Sequence, residues 1–256
     1  MKKYLCLIFT LLFAICIKAN NLNTVENPTA GMLSRGEARI NMKIFQNNGI
    51  FLGADVGLFE SFQFGLAFGG EQIIGNQKPE IHRVDYKVKL RLINETISIP
   101  AFAIGVDTQG HGKYYEDQKR YDIKSKGAYF VMSKNFGFSG LIGFDAGINY
   151  TFEWVEDEIK KIDVFMGTYK TLGEMVTIFA DYSLALNDRN RYKNGDPQSV
   201  EHANIFRKTN GFLNTGIQMR LTDQIFVKLL MHDLLLNRKD IHSFDRSLQI
   251  DYRWFF

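Results

Sequence analysis

The sequence predicts an all-β protein: an antiparallel, up-and-down transmembrane β-barrel of about 12 strands. Three observations favour this fold class. Apolar and polar residues alternate over segments of about 10 residues, from Gly36 to the end of the chain. Short and long connections alternate between those segments, as they do in bacterial barrels. The composition includes 22 glycines, 22 phenylalanines and only four prolines, which is typical of strand-rich proteins.

The amino terminus has the pattern of a secretory signal peptide. A basic head, Met1-Lys2-Lys3, precedes an apolar run over residues 4–17, and Ala19 is a small residue suited to cleavage. The run is shorter than the roughly 20 apolar residues of a spanning helix, which favours cleavage over anchoring. We therefore expect three parts: a signal peptide at 1–19, a periplasmic lead-in or small lumen plug at 20–35, and an outer-membrane β-barrel at 36–256.

Cysteine content and charge exclude several classes of protein. Cys6 and Cys16 both lie in the signal peptide, so the mature chain has no disulfide, thiolate metal site or cysteine nucleophile. The signal peptide also holds three lysines, and without them the 31 basic residues become 28, which equals the 28 acidic residues. This balance gives no argument for nucleic acid as a partner, and we expect none.

The strands are predicted from period-2 alternation. The clearest case covers residues 83–92, where every odd position is charged and every even position is apolar. Successive side chains of a strand point to opposite faces, so this segment has one polar and one apolar face. The same analysis predicts twelve strands, at 36–45, 49–58, 61–70, 82–92, 98–107, 124–134, 137–152, 160–170, 175–186, 209–219, 224–233 and 245–256.

Alternation alone does not separate a membrane barrel from a soluble sandwich or a lipocalin-like barrel. Two features favour the membrane. The predicted strands are close to the 9–11 residues that cross a bilayer at a tilt. Aromatic residues suited to an interfacial girdle fall near strand ends: Tyr150, Tyr169, Tyr182, Tyr252 and Trp254.

The last strand adds a third feature. Its apolar face ends on the terminal residue itself and comprises Leu248, Ile250, Tyr252, Trp254 and Phe256. This pattern resembles the C-terminal strand by which outer-membrane barrels are selected for assembly. We therefore expect location in the outer membrane, with membrane lipid, lipopolysaccharide and the barrel-assembly machinery as partners.

Residues 99–134 carry a family resemblance. A Pro-Ala-x-Ala-x-Gly strand, a loop with Gly-His-Gly and a returning strand ending in Ser-Lys resemble the YjbH-like outer-membrane proteins linked to exopolysaccharide production. Asn27-Pro28-Thr29-Ala30-Gly31 and Gly69-Gly70-Glu71 are similar to the same group. The better-known members are longer and have more than one barrel-like part, so this chain would be a single-barrel variant. The resemblance implies a polysaccharide partner and no catalytic residues.

Charged residues on the polar strand faces are predicted to face the lumen: Arg83, Asp85, Lys87, Lys89, Arg91, Asp145, Asp181, Asp251 and Arg253. One interpretation is a water-filled, slightly basic passage that favours anionic solutes or sugars. The other is a closed lumen in which these charges pair across strands. Barrels of 8 strands are filled and those of 16–18 strands leave a channel, so twelve strands leave both open.

The leading functional hypothesis is a pore or export-associated barrel for polysaccharide or other polar solutes. A structural or surface-interaction barrel with a closed lumen is the alternative. A third hypothesis is a rim-site hydrolase built on His242-Ser243 beside Asp240 and Asp245, or on His232-Asp233. Adjacent strand residues face opposite ways, which argues against the last pair. We predict no catalytic, cofactor-binding or metal-binding residues, and we expect the acidic stretch 153–158 to be a solvated loop.

Overall fold

A computed structural model describes residues 21–76, 78–116, 119–153, 161–188, 211–237 and 243–256. The predicted signal peptide lies outside these residues. The described chain contains one short 3-10 turn, Leu186–Asp188. Its fifteen strands are β1 Glu37–Phe45, β2 Gly49–Phe59, β3 Phe62–Glu71, β4 Glu80–Ile81, β5 Asp85–Ile93, β6 Ala101–Asp107, β7 His111–Tyr115, β8 Arg120–Ile123, β9 Gly127–Gly137, β10 Leu141–Tyr150, β11 Ile162–Leu172, β12 Val176–Ser183, β13 Phe212–Arg220, β14 Ile225–His232 and β15 Asp245–Phe255.

Twelve of these strands form a closed antiparallel barrel. The ring runs β1, β2, β3, β5, β6, β9 and then β10 to β15 in chain order. The last strand pairs with the first, from Glu37 opposite Phe255 to Ile44 opposite Leu248. The backbone N–H of Phe256 donates to the carbonyl of Gly36 at 2.9 Å and completes this seam. The predicted fold class and strand number are therefore confirmed.

The connections have two lengths, as the sequence predicted. Turns such as 59–62 and 172–176 lie at one end of the barrel, and the connections after β3, β6, β10, β12 and β14 lie at the other. We call these the inner and outer ends, because bacterial barrels carry their long loops outside.

The connection after β6 differs from the expected loop. Residues 108–123 contain a second small sheet, in which β7 pairs with β8 from His111 opposite Ile123 to Tyr115 opposite Arg120. We call β7, β8 and their turn the outer hairpin. Tyr121 and His111 are 0% exposed, so the hairpin folds into the barrel mouth instead of projecting into solvent.

The outer surface of the barrel is apolar. Side chains exposed on it alternate with buried ones along each strand, and they include Ile40, Leu52, Leu66, Phe68, Ile104, Phe130, Met132, Phe144, Ile148, Met166, Ile178, Ile217 and Leu229. A continuous apolar band on a closed barrel is the surface that bilayer hydrocarbon requires. None of the described segments forms a helix with the length and apolarity of a membrane crossing.

The prediction of an interfacial aromatic girdle is wrong for one residue, Tyr169. Tyr150 and Tyr252 are exposed on the outer surface, but Tyr169 is 4% exposed and lies inside the barrel. Its hydroxyl donates to the Asn135 side chain, and its ring lies 6.2 Å from that of Phe179. Lys170, not Tyr169, continues the outward face there, because the polar–apolar pattern of β11 reverses near its inner end.

The barrel lumen is occupied. Residues 21–35, which we call the plug segment, lie inside the wall and bury Leu22, Val25, Met32 and Leu33. Glycines in the wall make room for them: a Cβ added at Gly57 would lie 2.1 Å from the carbonyl oxygen of Ser34. The buried core therefore lies between the plug segment, the outer hairpin and the inner face of the barrel.

Candidate functional site

The charged ladder of β5 lines the lumen from the outer mouth to the inner end. Asp85 is 0% exposed and Lys89 is 5% exposed. Lys87 Nζ lies 3.6 Å from Asp107 Oδ2 on β6. At the inner end, Arg91 donates to the carbonyl of Glu60 at 3.0 Å. Most of these charges thus have a partner on the wall. The sequence alone was also compatible with unpaired charges lining a slightly basic passage.

Arg83 is not part of that ladder. The predicted strand 82–92 begins at Asp85 instead, because residues 82–84 connect β4 to β5. The Arg83 guanidinium donates to Asp85 at 3.1 Å and to the carbonyl of Thr108 at 3.1 Å, and it lies 5.0 Å from the ring centre of Tyr114. Arg83 therefore holds the outer hairpin against the mouth of the barrel.

A second wall cluster is centred on Asp251, whose side chain is 0% exposed. Lys228 Nζ lies 3.2 Å and Arg39 Nη1 lies 3.8 Å from its Oδ2. Arg39 also forms an ion pair with Asp55. Arg253 lies at the edge of this cluster, 4.0 Å from Glu37. These ion pairs connect neighbouring strands across the seam of the barrel.

The residues of the proposed assembly face lie on the other side of the same strand. The side chains of Tyr252 and Phe256 are 42% and 76% exposed. Leu248, Ile250 and Trp254 are partly exposed on the same face. The rings of Tyr252 and Trp254 stack with centroids 5.6 Å apart.

Asp181 holds the tip of the plug segment. The chain reverses direction here, with the N–H of Thr24 donating to the carbonyl of Asn27 at 3.0 Å. Asp181 Oδ2 accepts from the backbone N–H groups of Val25, Glu26 and Asn27 at 2.9, 2.8 and 3.1 Å, and from the Thr24 hydroxyl at 2.8 Å. Three successive backbone N–H groups form an anion-binding concavity of this kind.

Other wall residues bind further parts of the plug segment. Lys89 Nζ donates to the carbonyls of Leu22 and Gly31 at 2.9 and 3.1 Å. Ser133 Oγ accepts from the N–H of Ala30 at 2.7 Å, and it donates to Asp145 in turn. Three of the predicted lumen residues, on three different strands, therefore take part in holding one segment: Lys89 and Asp181 directly, and Asp145 through Ser133.

The outer hairpin closes the lumen above the plug segment. The Tyr121 hydroxyl donates to Asp85, and its backbone N–H donates to Glu153 Oε2 at 2.9 Å. Phe51 and His82 pack on the Tyr121 ring, with centroids 6.2 and 5.6 Å away. Glu153, expected in a solvated loop, is 2% exposed instead, and burial raises the pKa of its carboxyl. The rest of that acidic stretch lies outside the described residues.

The plug segment, the outer hairpin and the wall meet at three side chains. Glu26 Oε1 lies 3.1 Å from His232 Nδ1 and 3.6 Å from His111 Nδ1. The two imidazoles stack with centroids 3.9 Å apart, and both are 0% exposed. No sequence pattern predicts this cluster, because its members are far apart in the chain and two of them lie in segments expected to be loop or lead-in.

The space left around the plug segment is small. A cavity of about 30 Å³ is lined by plug and wall residues that include Glu26, Arg39 and Lys87. Another, of about 20 Å³, lies between Glu26 and Lys126. Spaces of this size hold one or two water molecules and no sugar. Around Glu26, the plug segment and the outer hairpin therefore fill most of the space between the described strands.

The residues of the proposed rim-site hydrolase are only partly within the described chain. His242 lies outside it. Asp245 is 2% exposed and faces the lumen, where its Oδ2 lies 2.8 Å from His111 Nε2. His232 faces the lumen too, and its Nε2 lies 2.8 Å from Ser247 Oγ. A rim site on these residues stays a prediction.

Comparisons with known proteins return similar structures but no similar sequences. No family model and no curated protein matches the chain. The structure of the KdgM porin is similar, with a TM-score of 0.49 and 9% identity over 84% of this chain and 98% of that one. The NanC porin has a TM-score of 0.43 and 9% identity over 86% of this chain and 99% of that one. Omp33 of Acinetobacter baumannii has a TM-score of 0.42 and 9% identity, covering 86% and 97%.

Proposed function

We propose that this protein is an outer-membrane pore for polar solutes, and that the plug segment is its gate. The polar contacts between wall and plug segment carry the proposal. Besides its apolar packing, the plug segment is held by Asp181, Lys89 and Ser133, whose hydrogen bonds can be replaced by bonds to water when the segment moves. Removal of the plug segment would leave a lumen lined by these charged and polar groups beside aromatic rings such as Phe165 and Phe179.

The class of solute follows from the lumen and from the family resemblance together. The wall exposes both signs of charge and hydrogen-bonding groups to the plug segment, including Arg39, Asp55, Lys87 and Asp107. Paired charges of both signs suit neutral or anionic carbohydrate, whose hydroxyls both donate and accept. The resemblance to YjbH-like proteins supports a polysaccharide as the solute. It also supports the outer membrane as the location of the protein.

Planar-bilayer conductance tests the pore. The refolded mature chain is compared with a variant lacking residues 21–33, after heat-modifiable gel mobility shows that both are folded. We expect rare openings in the intact chain and a steady conductance in the shortened one, which sugar oligomers added to the bath reduce. A folded, inserted variant that never conducts would refute the pore.

A permanently closed barrel is the second candidate. The outer hairpin favours it, because Phe51, Tyr121 and His82 form a packed aromatic cluster above the plug segment. A variant lacking residues 21–33 is compared with one that also lacks residues 109–123. If only the second variant conducts, the outer hairpin is a second barrier to solutes. If neither variant conducts, the result would favour a structural or surface-interaction role for the protein.

A further inference from the structure

The cluster of Glu26, His111 and His232 has the composition of a metal site. Its three ligand atoms lie within 4.8 Å of one another. They come from the plug segment, the outer hairpin and strand β14, the three parts that meet in the lumen. Two imidazoles and one carboxylate form a ligand set that proteins use for zinc and other divalent transition metals.

The orientation of the two histidines is the second observation. Nδ1 of His111 and Nδ1 of His232 are fully buried and have no hydrogen-bond partner, although both are aimed at Glu26. The opposite nitrogens are engaged: His111 Nε2 donates to Asp245, and His232 Nε2 lies 2.8 Å from Ser247 Oγ. Metal-binding histidines have this arrangement, in which an outer hydrogen bond fixes the ring and leaves the other nitrogen for the metal.

We propose that Glu26, His111 and His232 bind a divalent transition-metal ion, with zinc as the best match, and that the ion joins the plug segment to the outer hairpin and the wall. Ligand atoms about 2.0–2.1 Å from a tetrahedral zinc lie about 3.3 Å apart. The observed distances of 3.1 and 3.6 Å from Glu26 Oε1 bracket that value. The two rings, now 22° from parallel, splay apart as their lone pairs turn toward the ion.

Lys43 competes with the ion. Its Nζ lies 3.1 Å from Glu26 Oε1, the oxygen that the histidines face. A cation entering the cluster displaces this ammonium, which can turn into the adjoining cavity that Lys43 and Glu26 line together. The same cavity supplies a water molecule as fourth ligand. Removal of the Lys43 charge should therefore strengthen metal binding, whereas removal of a ligand should weaken it.

The consequence for gating rests on the proposed function, because a metal that joins the plug segment to the wall keeps the pore closed. Binding itself does not depend on the pore. The two are measured separately, by metal titration and by conductance, so that failure of one is distinguishable from failure of the other.

Zinc binding to the untagged, refolded mature chain in detergent is measured by calorimetry after chelator treatment. We expect one ion per chain. Each of the variants Glu26→Gln, His111→Gln and His232→Gln should bind at least tenfold more weakly. Lys43→Met should bind at least tenfold more tightly, a gain that loss of structure would not produce. His82→Gln, which removes another buried lumenal histidine, should bind as the intact chain does.

X-ray absorption of the zinc-loaded intact chain keeps the proposal testable if a ligand variant fails to fold. We expect nitrogen and oxygen neighbours near 2.0 Å and the scattering pattern of two imidazoles. No stoichiometric binding, a spectrum without imidazole, or equal affinity in the ligand variants and His82→Gln would overturn the proposal. The last outcome would place any bound zinc elsewhere on the chain.

Conductance with and without zinc then tests the clamp. We expect zinc to suppress the openings of the intact chain and a chelator to restore them, with no effect of either on the variant lacking residues 21–33. Zinc binding without any change in conductance would support the metal site but refute its role in gating.

Discussion

Asp181→Asn should release the plug segment. One carboxylate oxygen now accepts four hydrogen bonds, three from successive backbone N–H groups and one from the Thr24 hydroxyl. The other oxygen accepts from Asn214 at 2.7 Å. An amide with its oxygen toward the plug segment keeps these contacts as weaker, neutral hydrogen bonds, and its NH2 group then faces the NH2 donor of Asn214. We expect the four plug bonds to lose their charge assistance and the bond from Asn214 to be lost, which together cost about 3 kcal/mol.

A loss of about 3 kcal/mol changes the ratio of closed to open plug by roughly 100-fold. Single-channel recording measures this as an increase in open probability, and limited proteolysis measures it as faster cleavage within residues 21–35. Asp163→Asn is the matched control. It removes a buried lumenal carboxylate of the neighbouring strand that accepts from the N–H of Leu186, outside the plug segment, at 3.0 Å.

Two results would refute this reasoning in different ways. Unchanged proteolysis and unchanged conductance would show that Asp181 does not hold the plug segment. Faster proteolysis without conductance would show that the plug segment moves but is not the gate. Because the mature chain is expected to have no cysteine, a disulfide between Ala30→Cys and Ser133→Cys offers a reversible lock, and its reduction should restore the openings.

Three further predictions concern the wall, the outer hairpin and assembly. Asp251→Asn leaves Lys228 and Arg39 without their shared carboxylate, and we expect a loss of about 3–5 kcal/mol in urea unfolding, against almost none for the exposed Asp223→Asn. Burial lowers the pKa of His82 to about 4, although Glu80 opposes this, so the closed hairpin binds fewer protons than an opened one. The free energy that favours the closed hairpin is thus constant above about pH 6.5. It falls by up to about 3 kcal/mol as the pH is lowered to about 4. Proteolysis of the hairpin should accelerate over that range in the intact chain and not in His82→Phe. Removal of Phe256 should lower the amount of barrel assembled in cells several-fold while refolding in detergent is unchanged, and an equal loss in both would contradict a role in recognition.

The sequence by itself determined the wall of this barrel. Alternation of charged and apolar residues around Lys87 and Lys89 fixes which side chains face inward, because successive residues of a strand point to opposite faces. The same rule predicts that Asp145, Asp181 and Asp251 face inward, and these residues are buried, whereas Tyr252, predicted to face outward, is 42% exposed. It failed for Tyr169, since an aromatic ring suits either an interfacial girdle or a filled lumen and only its neighbours decide between them.

Only the tertiary structure decided what fills the lumen. The plug segment has no periodicity, and it owes its conformation to wall groups such as Asp181 that are more than 150 residues away. The pairing of Lys87 with Asp107 and the approach of His111 to His232 likewise depend on which strands are neighbours and on where a loop folds. Strand periodicity is a local property of the backbone, whereas the occupant of a lumen is chosen by contacts between distant segments, so no local pattern records it.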